Sequence, residues 1–268
     1  MMLRHLARRL PEWDPASKMA LGLGLVLLLL MVWLGFRGPE PVQLPARIGA
    51  FGLLLTIQLL VLWGNRRVLS PYHQAQQHFI HGDYLAARDI LEMMPQSSPA
   101  SVDALVLLGN TYRHLGQFEK SRAALEHALG LKPNYHFALY GMGKLSLTTG
   151  DYEAAVRFIT KALLSGAPDG VQFDLGQAFY LLDDAEKSNH YFNNIRSIIA
   201  DEPAQAMLMA YYRFVMGTGE RPSHRSIQEH IHYWQQEAVK YRQTPYGAAL
   251  QKDVDALSAC LKDAQAPN

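Results

Sequence analysis

His78 and His81 stand one helical turn apart, with His73 just before them, and His224, His230 and His232 form a second group near the end of the chain. Imidazoles three residues apart on a helix can share a ligand, and neutral histidine is a common metal donor. Neither group has a carboxylate or thiolate placed to complete a coordination set. The single Cys260 excludes an internal disulfide and any cysteine-based zinc motif. One cysteine also fits a reducing compartment better than a small secreted scaffold. The chain has no HExxH, no GxSxG and no glycine-rich nucleotide loop. The histidines are therefore read as solvated or hydrogen-bonded structural residues. No catalytic residue, no metal and no cofactor is expected, and the protein is not expected to be an enzyme. A net charge of +1 gives no footprint for nucleic acid.

With catalysis set aside, the elements that organise the chain come forward. Residues 68–201 repeat with a period of 34. Gly82, Gly116 and Gly150 fall at that spacing, as do Tyr84, Phe118 and Tyr152, and Leu91, Leu125 and Ile159. Apolar residues recur at i, i+3 and i+4 in two helices per unit, broken by a glycine near the middle. Gly116 and Gly150 end the first helix, where a positive φ is convenient. Gly109 and Gly143 lie inside helices, where glycine costs about 1 kcal/mol against alanine. A close contact with the second helix is the expected compensation. One such hairpin cannot bury its apolar face alone, so neighbours must stack and the ends must be capped.

The unit from Val102 to Tyr135 resembles the tetratricopeptide repeat family. Leu108-Gly109 and Tyr112 supply the large, small and aromatic residues of its first helix, Gly116 and Phe118 the turn, Ser121, Leu125 and Ala128 the second helix, and Pro133 the end. Met142-Gly143, Gly150, Tyr152, Ala155, Ile159 and Ala162 form the next copy. A third has Leu175-Gly176, Phe179 and Phe192, with a one-residue slip and Asp183 in place of the turn glycine. A weaker copy with Ala75, Gly82, Tyr84, Ala87, Leu91 and Met94 comes first. The resemblance covers about half the chain. It implies an all-α solenoid and a concave groove that binds protein or peptide. Carried over position by position, the groove would display Tyr72 and Gln76, then Asn110 and Arg113, then Phe137, Tyr140 and Lys144, and finally Phe173, Gln177 and Tyr180. Arg113 and Lys144 would suit a carboxylate, although the full carboxylate-clamp set is incomplete. For the aromatics, packing against neighbouring helices stands as the alternative.

Before the repeats lie two uncharged apolar runs, residues 19–36 and 48–64, each long enough for a transmembrane helix. Pro39, Pro41 and Pro45 between them predict a loop over 37–47 that continues neither helix. Trp13, Trp33 and Trp63 stand near the ends of the runs, where interfacial aromatics belong. A cleaved signal peptide and a buried soluble hairpin are the alternatives to this hairpin. The length of the first run, the second run and the tryptophans disfavour both. Gln58 is expected to face the partner helix, since an unpaired amide in hydrocarbon is costly. Arg4, Arg8, Arg9 and Lys18 in the tail and Arg66-Arg67 after the second run outweigh Arg37 and Arg47 in the loop. The positive-inside rule then puts tail and repeats in the cytoplasm.

The organisation expected is a basic tail over 1–18, a two-helix transmembrane hairpin over 19–67, repeats over 68–201, and a degenerate repeat with capping helices over 202–268. Ser70-Pro71 predicts a helix start with almost no linker, and Ser226 with Glu229 predicts a capping box. The functional expectation is a multi-pass scaffold or assembly factor of a bacterial inner membrane. It would contact lipid through 19–36 and 48–64 and bind a protein client at the membrane surface. The alternative is an accessory subunit of a larger membrane complex, held through the hairpin, where Gly22, Gly24, Gly49 and Gly52 allow close packing.

Overall fold

The structure is a computed structural model describing residues 15–67, 71–94, 102–195 and 202–263, with backbone alone for 62–67 and 262–263. Residues 1–14 of the tail, Trp13 among them, and Ser70 fall outside the described residues, as do the side chains of Trp63, Arg66 and Arg67; residues 15–18 of the expected tail already belong to the first helix. Thirteen α-helices and no strand occur among the described residues: α1 (Pro15–Arg37), α2 (Glu40–Arg67), α3 (Pro71–Ile80), α4 (Tyr84–Glu92), α5 (Val102–His114), α6 (Phe118–Leu131), α7 (His136–Thr149), α8 (Tyr152–Leu164), α9 (Gln172–Leu181), α10 (Ala185–Ile195), α11 (Pro203–Val215), α12 (His224–Lys240) and α13 (Pro245–Asp263). They form two compact units, Met1–Gln74 and Ala75–Asn268.

In the first unit α1 and α2 pack along each other and are long and apolar enough to cross a membrane. Small residues bring them together. A Cβ on Gly24 would stand 3.1 Å from Ile57 Cγ1, and one on Gly49 would stand 3.4 Å from Met31 Sδ. The link is shorter than the proline content predicts, because α2 already starts at Glu40. Pro41 sits in the first turn, where backbone N–H groups have no intrahelical acceptor. Pro45 forgoes one such bond inside the helix. Side chains tie the short link: Arg47 Nε donates to the Gly35 carbonyl and Gln43 Nε2 to the Gly38 carbonyl, both at 2.9 Å. Gln58 also departs from expectation and is exposed, because Ile57 takes the position facing Gly24. The outward faces of both helices are apolar, with Leu23, Leu29, Trp33, Phe51 and Leu59 exposed.

The second unit is a stack of helical pairs, α4 following α3, then α5/α6, α7/α8 and α9/α10. Each pair closes by the same device. A Cβ on Gly109 would lie 2.6 Å from Leu125 Cγ, on Gly143 2.5 Å from Ile159 Cγ1, and on Gly176 2.5 Å from Phe192 Cε1. Ala75 and Leu91 hold the matching positions in the first pair and are both buried. A hydroxyl doubles the contact in two units, where Ser121 Oγ donates to the Gly109 carbonyl and Ser188 Oγ to the Gly176 carbonyl, at 2.7 and 2.8 Å. The turns at Gly82, Gly116 and Gly150 have φ of 80°, 73° and 88°. Asp183 adopts the same left-handed conformation at φ 58°, alone among the described non-glycine residues. It forms the turn although it carries a Cβ, a conformation more tolerable for Asp than for most side chains.

After α10 the chain adds α11, turns through Gly217 at φ 70°, and returns as the antiparallel pair α12 and α13. Ser223, not Ser226, caps α12: its side chain accepts from the Ser226 amide at 3.2 Å. Ser226 lies inside the first turn, and Glu229 pairs instead with Arg225 at 2.8 Å. Thr244 caps α13 through the Gly247 amide at 3.1 Å. Ile227, Ile231 and Trp234 of α12 and Leu250, Val254 and Leu257 of α13 share one core with Ile159, Leu175 and Phe192 of the repeats.

The glycine device sets the sign of two substitutions. Gly143→Ala adds a methyl against Ile159 and should destabilise the protein by about 1–3 kcal/mol. Gly130→Ala, in a helix with nothing within 4 Å, should instead stabilise by up to about 1 kcal/mol. Thermal denaturation followed by circular dichroism, with the two variants side by side, checks the opposite signs.

Candidate functional site

Of the residues expected to line a groove, Asn110 and Arg113 lie on α5, Phe137, Tyr140 and Lys144 on α7, Phe173, Gln177 and Tyr180 on α9, and Tyr72 and Gln76 on α3. Lys144 of α7 reaches Asp174 of α9 at 2.6 Å, and the Tyr140 hydroxyl donates to the other carboxylate oxygen. Asp174 is buried, so this triad is a tie between successive units and holds the cation that would otherwise face a ligand. Burial, then the Asp174 charge, pushes the Tyr140 phenol well above its ordinary range.

The remaining polar positions meet the returning C-terminal helices. Arg113 Nη1 donates to the Tyr241 hydroxyl at 2.8 Å. Gln177 Nε2 donates to the Tyr212 hydroxyl at 2.9 Å, and the Tyr246 hydroxyl approaches Gln177 Oε1 at 3.5 Å. The Tyr180 hydroxyl donates to Asp253 at 3.1 Å while its ring stacks on Tyr212 with centroids 4.0 Å apart. Phe173 is buried between Phe192 and Trp234. Pro245 fits over Gly150, where a Cβ would stand 2.7 Å from the Pro245 Cβ. Arg113, Tyr140, Lys144, Phe173, Gln177 and Tyr180 are thus brought together, and the chain's own C-terminal helices supply most of their partners.

Four predicted groove residues stand apart from that arrangement. Asn110 is half-buried, its Oδ1 3.7 Å from where a Gly141 Cβ would be, and Gln76 is half-buried on α3. Phe137 is half exposed and rests against the His136 and Tyr135 rings. Tyr72, in the first unit, meets the His73 ring edge-on at 5.6 Å.

His114, which sequence reasoning passed over, is the most perturbed imidazole here. It stacks on Tyr84 at 4.5 Å and meets Phe79 edge-on at 5.3 Å. Burial, then the charges of Arg113, Lys240 and Lys144, pushes its pKa down to about 2, so it stays neutral. Among the histidines first considered as ligands, His78 pairs with Asp83 at 3.2 Å and His81 meets the Gln77 carbonyl at 2.7 Å. His224 meets the Cys260 carbonyl at 3.2 Å. No group of three metal-ligating side chains occurs among the described residues.

The tetratricopeptide repeat family model matches residues 102–135 and 138–165. These two units are similar to tetratricopeptide repeats. Over 145 residues, 51% of this chain, the sequence is 28% identical to mouse (Mus musculus) Tetratricopeptide repeat protein 21B, of which that stretch covers 10%. The chain therefore spans a small part of that relative's length. Among solved structures it is similar to a thermophilic tetratricopeptide repeat protein of Thermus thermophilus, at 17% identity and a TM-score of 0.50, over 70% of this chain and 97% of that one. A structure of the APC/C hetero-tetramer matches 93% of this chain and 48% of its own at 14% identity and a TM-score of 0.50. Both likenesses show the fold, a stack of helical pairs of the tetratricopeptide repeat type.

The returning helices carry a titratable group that tests their seat on the repeats. Burial lifts the Asp253 carboxyl to a pKa of about 6, against the opposing bond from Tyr180. A raised carboxylate pKa means that the folded chain holds a proton the unfolded chain gives up. Its contribution therefore falls as pH rises from about 4 to about 6 and stays low above that. Asp253→Asn keeps an oxygen acceptor for Tyr180 without the charge. It should stabilise the protein by about 3 kcal/mol at pH 7.5, with most of the gain lost at pH 4. Parallel melts of wild type and variant at the two pH values measure it.

Proposed function

We propose that the chain is a membrane-anchored protein-interaction scaffold, an assembly factor that presents its repeats to a protein client. The observation that carries this reading is the pairing, in one chain, of stacked tetratricopeptide repeats with two adjacent helices of membrane-spanning length and lipid-compatible outer faces. Such repeats bind polypeptide segments through shape and side-chain pockets, without chemistry. The half-buried Asn110 and Gln76 and the exposed Phe137 offer contacts that the C-terminal helices leave available. A client that needs Arg113, Gln177 or Tyr180 must compete with Tyr241, Tyr212 and Asp253.

In-cell photo-crosslinking from Asn110 and Phe137 in the full-length chain tests this reading. A discrete adduct with a second polypeptide, absent when the probe sits at the solvent-exposed Glu126, supports it. Adducts no different from those at Glu126, in cells where the protein is abundant, refute it.

The orientation we infer places the repeats in the cytoplasm of a bacterial cell with the 37–47 stretch outside, on the excess of Lys and Arg at the two flanks over the link. Fusions after Asn268 should give cytoplasmic reporter signal, and alkaline phosphatase activity there would reverse the topology.

A second reading, an accessory subunit held through its hairpin, rests on a different observation. Gly24 and Gly49 are used between α1 and α2, but Gly22 and Gly52 have nothing within 4 Å of a would-be Cβ. They leave small-residue positions free for another transmembrane helix. Replacing residues 15–67 by an unrelated hairpin separates the two readings: a scaffold keeps its crosslinked partner, and a subunit loses it.

A further inference from the structure

Arg113 is 7% exposed and lies at the base of the α12–α13 connection. A buried guanidinium normally faces a carboxylate, because an uncompensated charge in the interior is costly. Among the described residues, no ion pair reaches Arg113: Lys144 has Asp174 and Lys240 has Glu237, at 2.6 and 3.0 Å. Its Nη atoms serve two neutral groups, Tyr241 Oη and His114 Nε2, at 2.8 and 3.1 Å, and its Nε has no hydrogen-bond partner.

Arginine can only donate, so His114 Nε2 must accept, and the neutral ring carries its proton on Nδ1. Nδ1 lies 3.2 Å from Tyr241 Oη and donates to it. That oxygen then accepts from both Arg113 and His114, and the phenol's own O–H is left to point elsewhere.

Both Arg113 and Tyr241 line a half-open cavity of about 480 Å³, together with Lys240 and the exposed Arg242. No carboxylate lines it, and Arg242 has no ion pair among the described residues. A smaller cavity of about 280 Å³ shares Arg113, His114, Lys240 and Tyr241 and has one carboxylate in its lining, Glu237, which is paired with Lys240. We propose that this cavity between α5 and the end of α12 binds a phosphate group, as the free ion or as a small phosphate monoester. Two guanidinium groups with no ion pair among the described residues and an unused phenol donor, beside the Lys240–Glu237 pair, call for an anion with more than one negative charge and several acceptor oxygens. That favours phosphate over a single carboxylate. Bound there, the anion would bridge the second repeat pair to the C-terminal helices. The proposal stands whether or not the groove takes a protein client.

Isothermal titration of the full-length chain in detergent, at constant ionic strength, with inorganic phosphate, glycerol 3-phosphate and acetate, tests it. Saturable binding of phosphate is expected, with acetate giving none. Arg113→Gln and Arg242→Gln should each weaken it about tenfold. Tighter binding of the monoester would assign the site to an organic phosphate, and equal or weaker binding to the ion itself. Arg242 is exposed, so its variant decides the matter if Arg113→Gln does not fold. Absence of saturable phosphate binding, equal binding of acetate, or unchanged affinity in Arg242→Gln would overturn the proposal.

Discussion

Two helices of a pair can approach closely only where one of them lacks a side chain, and in this protein that condition recurs at Gly109, Gly143 and Gly176. The space a methyl would need is filled in each case by a large apolar residue of the partner helix, Leu125, Ile159 or Phe192. Because the same crossing is repeated, the first helices line up on one side and the second helices on the other. The left-handed turns at Gly116 and Gly150, and the strained substitute at Asp183, reverse the chain within two or three residues and keep that register.

On the side of the first helices the structure differs from an open receptor. Its aromatic and amide positions form a network with the chain's own last helices, running from Arg113–Tyr241 through Gln177–Tyr212 to Tyr180–Asp253. The network is built mostly from phenols and amides held in apolar surroundings. Such groups are costly to leave unpaired. The C-terminal pair therefore does more than shield a terminal apolar face. It supplies hydrogen-bond partners to Arg113 and Tyr180, while Phe137 remains half exposed.

The repeats were legible in the sequence because their geometry restricts residue identity at single positions. A turn that needs positive φ and a crossing that needs no Cβ both select glycine, and the 34-residue spacing makes that selection visible. The returning helices were not legible in the same way. Their contacts join residues 128 and 73 positions apart, and a tyrosine can satisfy an arginine from many directions. Asp253 was the available clue: it interrupts the apolar stripe of Leu250, Val254 and Leu257, and a carboxylate there needs a buried donor. In the hairpin, the rule that an amide avoids lipid pointed Gln58 inward. The small-residue contact of Gly24 with Ile57 took that position instead. The proline rule likewise gave too long a link, because the first turn of α2 accommodates Pro41 and one lost hydrogen bond absorbs Pro45.

The order in which the helices leave the ribosome follows from where they sit in the chain. The repeat pairs are complete once Ile195 has emerged, yet α13, which covers their hollow side, ends at Asp263. At about 5–20 residues per second, that interval lasts roughly 3–14 s. For most of it Gln177 and Tyr180 are without their later partners Tyr246 and Asp253, so every newly made molecule passes through a stage with these side chains uncovered before it closes on itself.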